Sequence, residues 1–367
     1  MERLIRAVFD LDYPSEQLEI QILDDSTDQT TEIISGIVRE SLNKDLDVKH
    51  LHRTVRSGYK AGALAEGLRL AKGDFIAIFD ADFIPSRDFL QRTLPYFHES
   101  SVGMVQTRWG HLNKEYSLLT RLQAFGLDAH FSVEQTGRNQ SGLFINFNGT
   151  AGIWRKSTIT DAGGWMSDTL TEDLDLSYRA QLKGWRFRYI EDVESPAELP
   201  AEIGSLRSQQ FRWSKGASQN ARKNIPRVMR SDIPLPTKIH AFFHLNNSAV
   251  FVCIILILIL SIPMLFLKPE IEFNKVIFSF TTLSLSGFLL LGYFYYPAFV
   301  EYSSPTRFRL FKFLLWFPLF LSVSMGLALH NTIAVIEGWM GVKSSFVRTP
   351  KYNLSGRSGT WVNKGYY

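Results

Sequence analysis

The chain has 367 residues and a formal net charge of +4, enough length for one α/β domain plus a further module and too little charge to argue for nucleic acid. Its single cysteine, Cys253, excludes an intrachain disulfide framework and fits a reducing compartment. Apolar residues are unevenly spread: the chain is mixed and charge-rich up to about residue 238, and three long apolar stretches dominate 249–336.

In chain order, residues 1–12 carry charges throughout and show no apolar core of a signal peptide. Residues 18–23 read as a short apolar strand ending in Asp24-Asp25-Ser26-Thr27-Asp28, whose Ser, Thr and Asp can cap a helix from Thr30 to about Leu42. Residues 48–52 read as the next strand and 60–71 as a helix. Residues 74–79 form a buried strand that stops at Asp80-Ala81-Asp82. A helix around 117–134, a Gly- and Asn-rich loop at 147–152 and a helix at 172–183 follow. Next come a strand at 187–190 and a basic helix near 205–222, with Pro226, Pro234 and Pro236 punctuating the approach to the apolar region. Alternating strands and helices predict a mostly parallel sheet with helices on its faces, and ligands of such sheets gather at the carboxyl ends of strands. Both acidic clusters lie there.

Two carboxylates one residue apart at a strand end, Asp80 and Asp82, can share a divalent cation such as Mg2+ or Mn2+, which favours hard oxygen ligands. Such a metal would neutralise a departing diphosphate. The same residues also suit a solvated turn. Asp24 and Asp25 can accept hydrogen bonds from a nucleoside or cap the following helix. Gly58-Tyr59-Lys60-Ala61-Gly62 opens a helix with flexible backbone and one cation, which suits a diphosphate as well as a tight turn. In Thr171-Glu172-Asp173 a carboxylate either opposes the helix dipole or takes the proton of an attacking hydroxyl. A single base with no glycosyl-enzyme nucleophile implies inversion. Gln209, Arg212 and Trp213 place an amide, a guanidinium and an indole on neighbouring helical faces, suited to phosphate and sugar rings. Trp213 also suits a membrane interface.

The ordered set Asp24-Asp25, Asp80-Ala81-Asp82, Thr171-Glu172-Asp173 and Gln209-Gln210-Phe211-Arg212-Trp213 resembles the cellulose-synthase-like processive family-2 glycosyltransferases, above all their glucomannan (mannan) synthase branch and its bacterial relatives. The resemblance runs continuously over about 13–213 and more loosely through the apolar region. It implies a glycosyltransferase-A-like domain followed by transmembrane helices. Asp25, with Asp24, would contact the nucleoside and Lys60 the diphosphate; Asp80 and Asp82 would hold donor and metal. Asp173 would be the general base beside Glu172, and Gln209, Arg212 and Trp213 would line the acceptor and pyrophosphate site. Phe346-Val347-Arg348-Thr349-Pro350-Lys351 is similar to the family's gating loop, which would bring Thr349 and Lys351 over the donor, although Arg348 replaces the usual Val. Phe147-Asn148-Gly149-Thr150 places Asn148 where cellulose synthases carry Cys. Both departures argue against cellulose as product.

The expected activity is transfer of a hexose from GDP-mannose or UDP-glucose to a growing β-linked polysaccharide. Lipid glycosyltransferases of the ceramide type share the acidic motifs, and a non-catalytic binding subunit is a further alternative. The family's first strand, whose loop typically ends Asn-Glu and contacts the base, has no counterpart here, so the strand ending at Asp24 is expected to lack a side partner and donor binding to be weak.

The expected division is a catalytic domain over 1–238, a membrane region over 239–340 and a gating-loop-like cytosolic tail over 341–367. Segments 249–267 and 276–300 hold no charged residue and reach or exceed the roughly 20 residues of a bilayer crossing. Segment 313–336 holds Pro318, His330 and Asn331. A third crossing would put Lys343, Arg348 and Lys351 on the wrong side for both the charge rule and the gating loop. The expectation is therefore that 313–336 does not cross, with a break at Pro318 and an interfacial amphipathic helix over 331–339. Nucleotide sugars being cytosolic, the chain is expected to be a multi-pass protein of a bacterial inner membrane or Golgi-type membrane. Its catalytic domain would face the cytosol, with donor, polysaccharide acceptor and lipid bilayer as partners and no nucleic acid.

Overall fold

The computed structural model describes residues 1–41, 46–264, 266, 271–303 and 306–360. In chain order they form α1 (Glu2–Phe9), β1 (Glu19–Asp24), α2 (Thr30–Ser41), β2 (Asp47–His52), α3 (Tyr59–Leu70), β3 (Phe75–Ile78), α4 (Phe89–Thr93), β4 (Val102–His111), α5 (Leu118–Ala129) and α6 (Thr136–Gln140). There follow β5 (Gly152–Arg155), α7 (Lys156–Asp161), α8 (Glu172–Leu182), β6 (Arg186–Ala197), α9 (Ile203–Arg230), α10 (Leu235–Leu245), α11 (Ala249–Met264), α12 (Ile271–Tyr302), α13 (Arg309–Gly326) and α14 (Ala328–Met340). The end of the first apolar segment and the connection 268–270 lie largely outside the described residues.

Strand β1 alternates, burying Ile20, Ile22 and Asp24 on one face, as a half-covered strand requires. It pairs in parallel with β2, Ile22 opposite His50 and Asp24 opposite His52. The remaining strands form a separate sheet in the order β3-β5-β4-β6. Here β5 runs antiparallel to both neighbours while β4 and β6 are parallel, so the sheet is mixed rather than mostly parallel. Among the described strands β1 has no partner but β2. A cavity of about 1740 Å³ is lined from both sheets, by Ile20 and Ile22 on one side and Ile76 and Ile78 on the other. The main core packs Met104, Phe147, Trp154, Trp165, Leu176 and Phe187 beneath it.

Helix α9 runs through Pro226 for 28 residues, longer than the sequence pattern suggests. Past it, among the described residues, Thr282–Tyr302 and Arg309–Gly326 are each long and apolar enough to cross a membrane, and α10 with α11, bent by 66°, is so only as a pair. The third apolar segment does divide, but at Leu327 and not at the proline: Pro318 lies inside α13, and the separate α14 follows. Phe313 and Phe317 of α13 pack on Phe125 of α5. Helix α14 buries Ala328, Asn331, Ala334, Val335 and Gly338. Lys215 of α9, fully buried, meets Glu337 of α14 at 2.6 Å.

Candidate active site

The acidic motifs all open on the large cavity. Asp80 and Asp82 follow β3, where the backbone N–H of Asp80 donates to Thr150 Oγ1 at 2.8 Å and so ties the strand end to the 147–152 loop. Lys60, in the first turn of α3, donates to Asp80 Oδ1 at 2.5 Å and to the Gly149 carbonyl at 2.8 Å. Burial works against its charge, but Asp80, with Glu172 and Asp173 nearby, outweighs that and raises its pKa. Asp82 Oδ2 is buried and pairs with Lys351 Nζ at 2.7 Å. Two carboxylates one residue apart, each facing a lysine, form a hard oxygen set that fits a divalent cation.

Glu172 and Asp173 occupy the first turn of α8, Glu172 only 7 % exposed. Burial raises both carboxyls, and for Asp173 the adjacent Glu172 adds to it, pushing its pKa up to about 7. Lys60 opposes the shift in both. Gly149 has φ +84°, and a Cβ there would stand 2.9 Å from Asp173 Oδ2 and 3.5 Å from Lys60 Nζ. The loop thus approaches Asp173 and Lys60 this closely because residue 149 has no side chain.

Arg212 faces the same carboxylates from α9. Burial lowers its pKa despite Asp80, Glu172 and Asp173. Its guanidinium lies 4.5 Å from the ring centre of Phe346 and donates to Thr349 Oγ1 at 3.3 Å. Gln209 and Trp213, one turn apart on α9, line the cavity with it. The segment 346–351 lies across the opening. Phe346 packs against Tyr59 at 5.9 Å, Arg348 reaches the Asp25 carbonyl at 3.4 Å, and Lys351 donates to the Glu198 carbonyl at 2.5 Å. Glu198, 3 % exposed, pins the segment by accepting from the N–H groups of Tyr352 (2.6 Å) and Leu354 (3.0 Å).

The remaining site residues are engaged inside the fold. Asp25 holds Arg53 through two bonds of 2.8 and 2.6 Å, and Arg53 also bonds the Ser57 and Tyr59 carbonyls that shape the turn before Lys60. Asp24 is buried, with its oxygens taken by Ser26, Thr31, His50 and His52. Burial opposes its ionisation, but these hydrogen bonds outweigh it and hold the carboxyl far below the usual range. Of the two, Asp24 organises the loop. Asn148 Oδ1 accepts from Gln135 at 3.0 Å and from Asn146 at 2.5 Å, and its amide meets His130 at 3.2 Å. Arg53, Thr150, Gly149 and Glu198 were not singled out from sequence. Gly149 and Thr150 fall in the Gly- and Asn-rich loop read from the sequence, without a role of their own there, and Arg53 lies directly after a strand end.

The family model "Glycosyltransferase like family 2" matches residues 1–216, and the chain belongs to that family. Glucomannan 4-beta-mannosyltransferase 1 of Oryza sativa subsp. japonica is 40% identical over 280 residues, 74% of this chain and 54% of that protein. Glucomannan 4-beta-mannosyltransferase 9 of Arabidopsis thaliana is 40% identical over 280 residues, 74% of this chain and 52% of that protein. The chain therefore spans about half the length of the curated relatives it matches. Among solved structures, a mannosyltransferase from Pyrobaculum calidifontis in complex with GDP-Man and Mn2+ shares the fold. Its TM-score is 0.60 at 17% identity, over 93% of this chain and 84% of that one.

Proposed function

We propose that the chain transfers a hexose, with mannose the first candidate, from a nucleotide-diphosphate sugar to a β-linked polysaccharide with inversion at the anomeric carbon. The observation that carries this is Asp173: a carboxyl with its pKa raised to about 7, held in one cavity with Lys60, Arg212 and the Asp80/Asp82 pair. A base near neutrality can take the acceptor hydroxyl's proton as that oxygen attacks. Lys60 and Arg212 place positive charge where a diphosphate would lie, and Gln209 and Trp213 offer an amide and a ring face to the acceptor. Asp80 and Asp82 would hold Mn2+ or Mg2+, which when bound supplies charge neutralisation for the departing diphosphate. Lys351, now on Asp82, would then be released toward the phosphates. The similarity to glucomannan mannosyltransferases favours a polysaccharide over a lipid acceptor, and GDP-mannose over UDP-glucose.

For the membrane, contact parity favours α11 and α12 as an out-and-back pair. Residues 313–320 of α13 lie on α5, α14 lies on α9, and 346–354 lies on the catalytic cavity, so the chain stays on the domain's side after α12. Helix α13 is apolar enough to cross but would then rest along the interface, with the domain in the cytosol where nucleotide sugars are.

The test is turnover of GDP-mannose and UDP-glucose over Mn2+ and Mg2+ titrations, for the wild-type chain and Asp82→Ala. Loss of a ligand should lower turnover by orders of magnitude with folding intact. Full activity of the variant, or of the wild type in chelator, would remove the metal from the scheme.

A further inference from the structure

Asp24, His50 and His52 converge from adjacent parallel strands, their nearest ligand atoms all within 4.8 Å of one another. His50 and His52 stand two residues apart on one face of β2, and Asp24 is the register partner of His52. Asp24 Oδ2 lies 3.0 Å from His50 Nε2 and 3.1 Å from His52 Nδ1. Neighbouring ligands on one ion stand at such separations when metal–ligand bonds are about 2.1 Å.

The hydrogen bonds around His50 supply a second argument. Ser35 donates its only hydroxyl proton to the Thr31 carbonyl at 2.9 Å. The same hydroxyl lies 3.4 Å from His50 Nδ1, on the side of the ring away from Asp24, and so helps to fix the ring's orientation. The carboxylate is also built in place: Ser26 donates to Oδ1 from its backbone at 2.8 Å and from its hydroxyl, and Thr31 donates to Oδ2 at 2.9 Å. A histidine oriented by a hydrogen bond on its far nitrogen is the usual form of a metal-ligating imidazole.

We propose that Asp24, His50 and His52 form a binding site for a divalent cation of the zinc class, sharing no ligand with the Asp80/Asp82 pair. Two imidazoles and one carboxylate form a borderline-soft set that favours Zn2+ over Mg2+. His52, about a third exposed, leaves the outer side open for water. The ion would cross-link β1 to β2 directly below Asp25, and so set the position of the loop that carries it.

Co2+ serves as the probe, added to the 367-residue chain in detergent after removal of metals by a chelator. The wild type is expected to develop the visible d–d band of a histidine-bound Co2+, to lose it to Zn2+, and to melt at higher temperature with Zn2+ present. His52→Ala, at the most exposed ligand, should weaken Co2+ binding at least about tenfold, as should His50→Gln, whereas Asp82→Asn should keep the band. Absence of a band in the wild type would overturn the site. Equal affinity in His52→Ala, or loss of the band in Asp82→Asn with retention in both histidine variants, would overturn it too.

Discussion

Asp173 sits on the first turn of α8, where the helix dipole by itself favours a negative charge. Burial beside Glu172 outweighs that and pushes its pKa up to about 7 from an ordinary 3.8. Transfer should therefore rise with pH through neutrality and level off above it. Asp173→Asn keeps the shape but takes no proton, so transfer should fall by roughly 10²-fold or more while donor affinity persists. Calorimetry for binding and initial rates for transfer separate the two, and a near wild-type rate would reassign the base. The linkage runs the same way: between about pH 4 and 7 the folded state holds more protons here than the unfolded one, so this group's contribution to stability declines as pH rises. Asp173→Asn should accordingly melt higher than the wild type above pH 7 and no higher near pH 4. Both carboxylates at the start of α8 and both just past β3 were legible in the sequence because each lies where an element begins or stops. Gly149 and Glu198 were not, because each acts on a residue far along the chain: Gly149 beside Asp173, Glu198 on the backbone of Tyr352.

Helices α9 and α14 approach closely where Gly338 lies in their contact. A Cβ on Gly338 would meet Ser218 Cβ at 2.6 Å and the Lys215 carbonyl at 2.7 Å. Packed backbone on one side cannot yield as a flexible side chain can. Gly338→Leu should lift α14 from α9, costing about 1–3 kcal/mol, and loosen the 346–351 segment that follows. The expected outcome is a lower melting temperature together with a raised donor KM; an unchanged melting temperature would show that α14 does not bear on α9. The strand at 74–79, the helix at 60–71 and the helix at 172–183 agree with β3, α3 and α8 to within about two residues. Strand β4 escaped notice because Gln106 and Thr107 interrupt its apolar run, although both are fully buried and bonded to the carbonyls of Thr150 and Ala151. Strand β5, at four residues, is too short to show any period.

At the scale of the molecule, the residues assigned to the nucleoside and those assigned to the diphosphate stand on different sheets. Asp25 follows β1, whose ladder ends at β2, while Asp80 and Asp82 follow β3, which is laced through β5 and β4 to β6. A two-stranded ladder, both of whose outer edges are unpaired among the described strands, opens more readily than the rest of the structure. The β1–β2 pair should therefore behave as its own cooperative unit. Its amides should exchange with deuterium well before those of Ile153 and Val105, both fully buried at the centre of the larger sheet. A nucleotide sugar that touched both sheets would couple the two units, since any ligand favouring the closed arrangement raises its share of the population. Deuterium uptake in residues 19–24 should then slow on addition of donor and divalent metal, while uptake in β4 and β5 hardly changes. Equal rates in the two sheets before addition would show that they already move as one body. If the rates do differ, part of the donor's intrinsic affinity is spent on closing the β1–β2 unit, and a bond that locked the two sheets together would tighten binding without touching the ligand.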